Sequence, residues 1–459
     1  MITLVNGKRK VKLPDRFLNS LIGIKGFDEK AFIELHNAEE KLTSIRLNPF
    51  KKTQLDLEPA ENLNWCENAF YLKERPSFTF DPLFHAGCYY VQEAGSMFLS
   101  HALKNSVDLS QKLSVLDLCA APGGKSTLIN SLISEESFLV SNEVIKPRAE
   151  VLAYNLSKWG TCNTAVTNCD PQVFSKLGSV FDVIVADVPC SGSGLFRKQP
   201  EAVNEWSLDN VNLCSTRQKR IVADCLPGLK PGGIFIYSTC SYSKEENEME
   251  VEWMMKEFDL ELVQIPLEKT WNIIETGLGY RFYPYLTKSE GFFCSVLKKK
   301  GEPELHHRKI KKFAFEEITK KEFEPLKDKI GPKSFHKIFR FQNEFKLVNA
   351  SLFDFMNSYG TNIYFKKTGT TLGELKHQDL IPHHEFALSI YLNKSVNRIE
   401  LSKEQAISFL KKENVNVKAG KGIGLMTYKA QGLGWVKVLD NRINNYLPKE
   451  FRILSQEEF

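Results

Sequence analysis

A chain of 459 residues and 52.5 kDa, at roughly 150 residues per domain, predicts about three domains. With 42% hydrophobic and 25% charged residues, the composition is that of a globular chain and excludes collagen, coiled coil and wholesale disorder. Lys and Arg total 61 against 56 Asp and Glu, a net charge of +5 that neither demands nor excludes a nucleic-acid partner.

The first segment, MITLVNGKRKVKLPDRF, carries charge with no hydrophobic core behind it, so it does not read as a secretory signal. No uncharged apolar run approaches the roughly 18 residues of a membrane helix. The expected location is the cytoplasm, with no membrane partner. Residues 1–80 read as a small α/β domain: PDRFLNSLIGI and FDEKAFIELHN have helical spacing and TSIRLN reads as a strand. From 81 to 300, short apolar runs alternate with longer helical stretches. SVLDLCA precedes KSTLINSLIS, FLVSNEV precedes KPRAEVLAYNLSKWG, FDVIVADVP precedes TRQKRIVADCLPGL, and GGIFIYSTC precedes KEENEMEVEWMMKEF. That alternation predicts an α/β fold with a parallel sheet covered on both faces. Residues 301–375 are densely charged with scattered Phe, a linker or α+β segment, and 376–459 return to short strands with Gly-rich turns.

Ten cysteines occur, none as a CxxC pair, so a zinc ribbon and a disulfide scaffold are not expected and no metal site is predicted. The ordinary role of such a thiol is core packing.

The most informative segment is VLDLCAAPGGKST, where a strand ends, a small-residue loop follows and a helix begins. Open α/β sheets bind ligands at such turns. The loop is neither a Walker P-loop nor GxGxxG, which argues against a dehydrogenase. Its residues Cys119, Ala120, Ala121, Pro122, Gly123, Gly124 and Lys125 are the candidate cofactor cradle, with Gly123 and Gly124 permitting close backbone approach. Glu143, ending the next strand, is placed for ribose hydroxyls, and Asp170, ending the third, for an adenine amino group.

Two further strand ends carry thiols: FDVIVADVPCSGSG reaches Cys190 and GGIFIYSTCSYS reaches Cys240. Asp187 precedes Cys190 by three positions and closes an apolar run, where a carboxylate is costly to bury without partners. Two thiols, an acid and an adenosine cofactor suit methylation of cytosine carbon 5. That carbon is too electron-poor to attack a methyl donor until a thiolate adds to carbon 6. An acid near ring nitrogen 3 stabilises the developing charge. One cysteine adds and the second can assist elimination; the residues alone leave open which does which.

These stretches closely resemble the Nop/Nol/Sun family of RNA cytosine-5 methyltransferases, particularly its bacterial RsmF-like ribosomal RNA members. The resemblance rests on LDLCAAPGGKST, NEVIKPRAEVLAYNLSKWG, DVIVADVPCSGSGLFRKQPEAVNEW and IFIYSTCSYSKEENE, with weaker matches in SIRLNP and GCYYVQEAGSMFLS, and GYRFYPYLTKSEGFFCSVLKK closing the region. It implies a Rossmann-like core binding S-adenosyl-L-methionine through Cys119–Lys125, Glu143, Asp170 and Asp187. It makes Cys240 the nucleophile, Cys190 the thiol that aids product release, and Asp187 the accompanying acid. Arg148 takes a supporting place near the cofactor helix. It further implies a PUA-like C-terminal domain over 376–459. Trp435, Lys437, Arg442 and Tyr446 then form a basic-aromatic RNA surface, or else Trp435 and Tyr446 are barrel core and the two basic residues only solubilise. The region beyond residue 300, with HHRKIKK and KAGKG, is expected to bind RNA. The expected partner is ribosomal RNA or a ribosomal subunit, met by a monomer. A transfer RNA substrate and a non-catalytic ribosome-assembly factor are the alternatives.

Overall fold

The computed structural model describes residues 2–5, 8–38, 42–301, 315–376 and 379–455. The middle of the chain forms one large sheet around β1 (Ser114–Asp117), β2 (Phe138–Asn142), β3 (Thr164–Thr167), β4 (Phe181–Asp187), β5 (Leu229–Thr239) and β6 (Phe292–Lys299). Their spatial order is β3-β2-β1-β4-β5-β6. The first five run parallel, and β6 is antiparallel to β5. Crossovers are made by α1 (Gly124–Leu132), α2 (Lys146–Trp159) and α3 (Leu208–Cys225), while α4 (Glu248–Glu257) follows β5.

The middle of FDVIVAD, Val183–Ala186, is apolar throughout because both faces of β4 are covered there. Ile184 and Ala186 pack on one side with Leu116, Val140, Val222 and Phe235. Val183 and Val185 point to the other, with Val115, Leu128, Ile129 and Ile236. The chain passes from β1 outward to β2 and β3, then returns to lay β4 on β1's other flank. The carboxyl ends of β1 and β4 therefore open at the reversal of strand order, the ligand crevice of such sheets.

The flanking parts of the chain are built into this body. Residues 44–47, 59–62, 69–72 and 89–91 form a four-stranded antiparallel sheet. Helices Asp15–Leu21 and Glu29–His36 precede it, and their Phe17 and Phe32 pack with Phe196, Trp206 and Tyr242 of the central region. Beyond residue 300, helix Ala350–Tyr359 sends Leu352, Phe355 and Met356 into the same core as Phe138 and Phe181. Strand Phe365–Thr368 then pairs antiparallel with β3 and forms an edge of the central sheet.

The last sheet comprises residues 398–400, 422–428, 431–438 and 443–445. Its Ile399, Met426 and Val436 share a core with Ile45 and Leu72 of the N-terminal sheet and with Leu83 of the short helix Pro82–His85. Trp435 is buried and donates its ring N–H to the His383 carbonyl at 2.9 Å, so it belongs to the core; Lys437 and Arg442 are exposed and Tyr446 is half-buried. The basic run HHRKIKK lies outside the described residues. No helix of the described residues is long and apolar enough to cross a membrane.

Candidate active site

The loop Leu118–Gly123 joins β1 to α1. Gly123 has φ of 115°, the left-handed region that favours glycine, and a Cβ there would meet the Leu152 Cδ1 at 3.2 Å. The loop backbone is fixed from β2 and α2. The Ala120 N–H donates to the Asn142 carbonyl at 2.8 Å. Arg148 Nη2 donates to the Ala121 carbonyl at 2.9 Å, and Asn155 Nδ2 to the Pro122 carbonyl at 2.8 Å. The N-terminal sheet braces the other side. Arg46, buried, donates to the Gly124 carbonyl at 3.2 Å and to Thr127 Oγ1 at 2.6 Å, with its guanidinium 4.7 Å from the Trp159 ring centroid. Burial lowers the Arg46 pKa only to about 10, so it remains a cation.

The acids follow at the strand ends. Glu143, one residue past β2, accepts the Ile145 N–H at 2.9 Å and faces Arg148 Nη1 at 3.4 Å. Asp170, three residues past β3, is exposed and pairs with Arg220 of α3 at 2.7 Å. Asp117 is an acid that the sequence reading passed over. It ends β1 fully buried; its Oδ2 accepts the Ser126 hydroxyl at 2.6 Å and its Oδ1 has no hydrogen-bond partner. Burial raises its pKa to about 7, against the opposing pull of Ser126 and Lys125. A buried acceptor left open at the end of a central strand is a mark of a ligand site. Its signal was in the sequence: Asp117 closes the apolar VLD run as Asp187 closes VIVAD. Cys119 lies beside these acids; burial, then Asp117 and Asp187, push its thiol well up.

At the end of β4, Asp187 accepts the Ser238 hydroxyl at 2.7 Å and pairs with Lys125 Nζ at 2.7 Å. Burial alone would lower the Lys125 pKa, but Asp187, with Asp117 and Cys240 adding, raises it. Lys125 therefore links the Gly-rich loop to the thiol site. The Cys190 and Cys240 Sγ atoms lie 3.0 Å apart, neither in a disulfide. The Cys240 contact and burial hold the Cys190 thiol well above its ordinary range, so it is protonated at neutral pH. The two cysteine loops also touch through backbone. The Gly194 N–H donates to the Cys240 carbonyl at 2.8 Å, and a Cβ at Gly194 would stand 2.7 Å from that oxygen and 2.4 Å from the Gly291 carbonyl oxygen. Among the predicted residues, Lys125, Asp187, Cys190 and Cys240 thus form one cluster, Glu143 flanks the loop, and Asp170 stands on the exposed rim.

This sheet order, with a Gly-rich loop closing β1 and polar groups at the ends of β4 and β5, is that of a Rossmann-like, S-adenosylmethionine-dependent methyltransferase. A solved methyltransferase homologue from Pyrococcus horikoshii is similar, at 28% identity and a TM-score of 0.50, covering 62% of this chain and 100% of that one. The solved structure of NSun6 from Pyrococcus horikoshii with SFG shares the fold at 18% identity and a TM-score of 0.54, covering 63% of this chain and 99% of that one. Residues 105–298 match the model of the 16S rRNA methyltransferase RsmB/F family, 13–94 that of the N-terminal domain of 16S rRNA methyltransferase RsmF, and 396–453 that of the methyltransferase RsmF PUA domain. The ribosomal RNA small subunit methyltransferase F of Aliivibrio fischeri is 30% identical over 89% of this chain and 90% of its own length. That of Aeromonas salmonicida is 30% identical over 95% and 97%. The chain belongs to the ribosomal RNA small subunit methyltransferase F family.

Proposed function

We propose that the protein methylates carbon 5 of a cytosine in small-subunit ribosomal RNA, acting as a cytoplasmic monomer through a covalent bond to Cys240. The observation that carries this reading is the meeting of two thiols, 3.0 Å apart, at the ends of adjacent parallel strands beside the Gly-rich loop. The names of the relatives support the choice of RNA.

The residues fit S-adenosylmethionine. Asp117 offers an open buried acceptor, Glu143 a carboxylate beside the loop, and the loop Cys119–Lys125 a backbone cradle braced by Arg148 and Asn155. Asp170 serves the adenine end. The bound cofactor supplies an electrophilic methyl group. The Cys240 thiolate adds to carbon 6 of the cytosine, and the electron pair displaced onto the ring makes carbon 5 nucleophilic. Asp187, fixed by Lys125 and Ser238, shares a proton with ring nitrogen 3 as negative charge develops there, and takes it back when carbon 5 receives the methyl group. After methyl transfer, water takes the carbon-5 proton, the C–H electron pair re-forms the carbon 5–carbon 6 double bond, and the carbon 6–sulfur bond breaks with its pair returning to Cys240. The neutral Cys190 thiol, in contact with the departing sulfur, assists this release. RNA is held by the part of the chain beyond residue 300 together with the face around the thiols.

Bisulfite sequencing of small-subunit ribosomal RNA tests the reading. One cytosine should lose its protection when the gene is deleted and regain it with wild type but not with Cys240→Ala. An unchanged pattern in the deletion strain contradicts it.

A further inference from the structure

Glu246 lies on the turn between β5 and α4, and its side chain is fully buried. Its partners come from both cysteine loops. Oε1 accepts the Ser191 N–H at 2.8 Å and the Gln218 amide at 3.1 Å. Oε2 accepts the Ser191 hydroxyl and the Ser241 hydroxyl, each at 2.5 Å. Ser191 follows Cys190 and Ser241 follows Cys240, so a single carboxylate is bonded to the residue after each thiol. Gln218 adds a second strap, since its amide also donates to the Pro189 carbonyl at 3.0 Å, one residue before Cys190. Burying a carboxylate is costly unless its lone pairs are satisfied, and here four donors satisfy them.

The two loops do not depend on Glu246 equally. The Cys240 side has its own anchors: Thr239 donates to Asn247 Oδ1 at 2.6 Å, and Asn247 Nδ2 donates to the Ser241 carbonyl at 2.8 Å. On the Cys190 side, Ser191 gives both its N–H and its hydroxyl to Glu246. Gly192, next in line, has open space where a Cβ would stand. The remaining bonds of the Cys190 loop, Gln218 to the Pro189 carbonyl and the Gly194 N–H to the Cys240 carbonyl, lie on either side of the thiol. Removing the carboxylate therefore frees the Cys190–Gly192 stretch between them, whereas Cys240 keeps the Asn247 anchors on both of its neighbours.

We infer that Glu246 is the positioning residue that holds Cys190 against Cys240, and that it acts on the release of the methylated product rather than on the addition of Cys240 to the ring. This rests on the two-thiol reading above. The Cys240 contact and burial hold the Cys190 thiol in its neutral form, and the nearby Glu246 adds to this.

Two measurements on the full-length protein test the inference. In the first, no RNA is present. Diamide takes the two thiol hydrogens of Cys190 and Cys240, the sulfurs join as a disulfide, and mass spectrometry follows the product. Glu246→Ala should slow this by about a hundredfold, the scale of a misplacement of about 1 Å. In the second, small-subunit ribosomal RNA from cells lacking the gene is mixed with cofactor and each variant. Glu246→Ala should accumulate a denaturant-stable protein–RNA adduct, as Cys190→Ala does, while its affinity for S-adenosylmethionine stays at the wild-type value. Glu246→Gln, which keeps the shape and one acceptor oxygen, should fall between. If Glu246→Ala does not fold, the Ser191→Ala/Ser241→Ala pair carries both measurements, with the same slowing and the same adduct expected. A wild-type disulfide rate overturns the inference. So does a slowed disulfide without adduct when Cys190→Ala gives one. Absence of adduct from both Glu246→Ala and Cys190→Ala overturns the covalent reading instead, and the disulfide rate still decides the positioning role.

Discussion

Asp117 sits in the fold as an acid whose ionisation is opposed by its surroundings. Its ordinary pKa of 3.8 becomes about 7, and its one bonded oxygen faces the Ser126 hydroxyl. Between those two values the folded chain holds a proton that the unfolded chain has lost. The contribution to stability is therefore full below the unfolded pKa and is lost as pH rises through about 7. Asp117→Asn removes this dependence. Without cofactor, wild type should lose stability relative to Asp117→Asn between about pH 4 and about pH 7, by up to about 1.4 kcal/mol per pH unit, and no further above that. Melting curves of both proteins across that range check it, and a constant gap contradicts it. At this scale the sequence was readable where a residue ended an apolar run, as Glu143, Asp187, Cys190 and Cys240 do. It was silent on Glu246, whose meaning comes from contact with Ser191, 55 positions away. Asp170 shows the converse. Its place near a strand end was legible, but its pairing with Arg220, 50 positions on, was not.

The elements of the catalytic region follow the sequence closely because their signals are local. Buried strands read as Val/Ile runs, and the helices between them read at helical spacing. The helix expected from TRQKRIVADCLPGL begins earlier, at Leu208, where Ser207 accepts the Asn210 N–H at 3.1 Å. What local signals could not carry is the bracing of one element by another. Arg46 belongs to an N-terminal strand, yet its donors go to Gly124 and Thr127 at the start of α1. Arg46→Met keeps the packing volume and leaves buried acceptors without donors. It should cost about 1–3 kcal/mol. It should also weaken S-adenosylmethionine binding, since the start of α1 is the end of the Gly-rich loop. Calorimetry and thermal melting check both effects. Unchanged affinity would detach the N-terminal sheet from the cofactor site.

Across the whole molecule, the first and last sheets share one core, and the segment after residue 300 completes another. Phe355 packs its ring 4.9 Å from Phe138 and 5.9 Å from Phe181, and Phe365–Thr368 covers the free edge of β3. The dense charge of residues 301–375 hid this in the sequence, although Leu352, Phe355 and Met356 stand at helical spacing on Ala350–Tyr359; which core they fill is a contact with residues far earlier in the chain. Trp435 was left open by the sequence, because an aromatic among basic residues can face RNA or fill a core, and its burial decides for the core. A chain ending at Lys300 exposes Phe138, Phe181 and the edge of β3. It should be largely insoluble or aggregated by size-exclusion chromatography. A monomeric truncated protein that melts cooperatively and binds cofactor would contradict the shared core.

The reading of this architecture as a two-thiol methyltransferase is tested most directly by a denaturing gel of Cys190→Ala and Cys240→Ala, each mixed with small-subunit ribosomal RNA and cofactor. Cys190→Ala should retain addition and stall at release, giving an adduct that survives denaturation; Cys240→Ala should give neither adduct nor methylated RNA. An adduct from Cys240→Ala and none from Cys190→Ala would reverse the two roles, and two active variants with no adduct from either would remove the covalent mechanism.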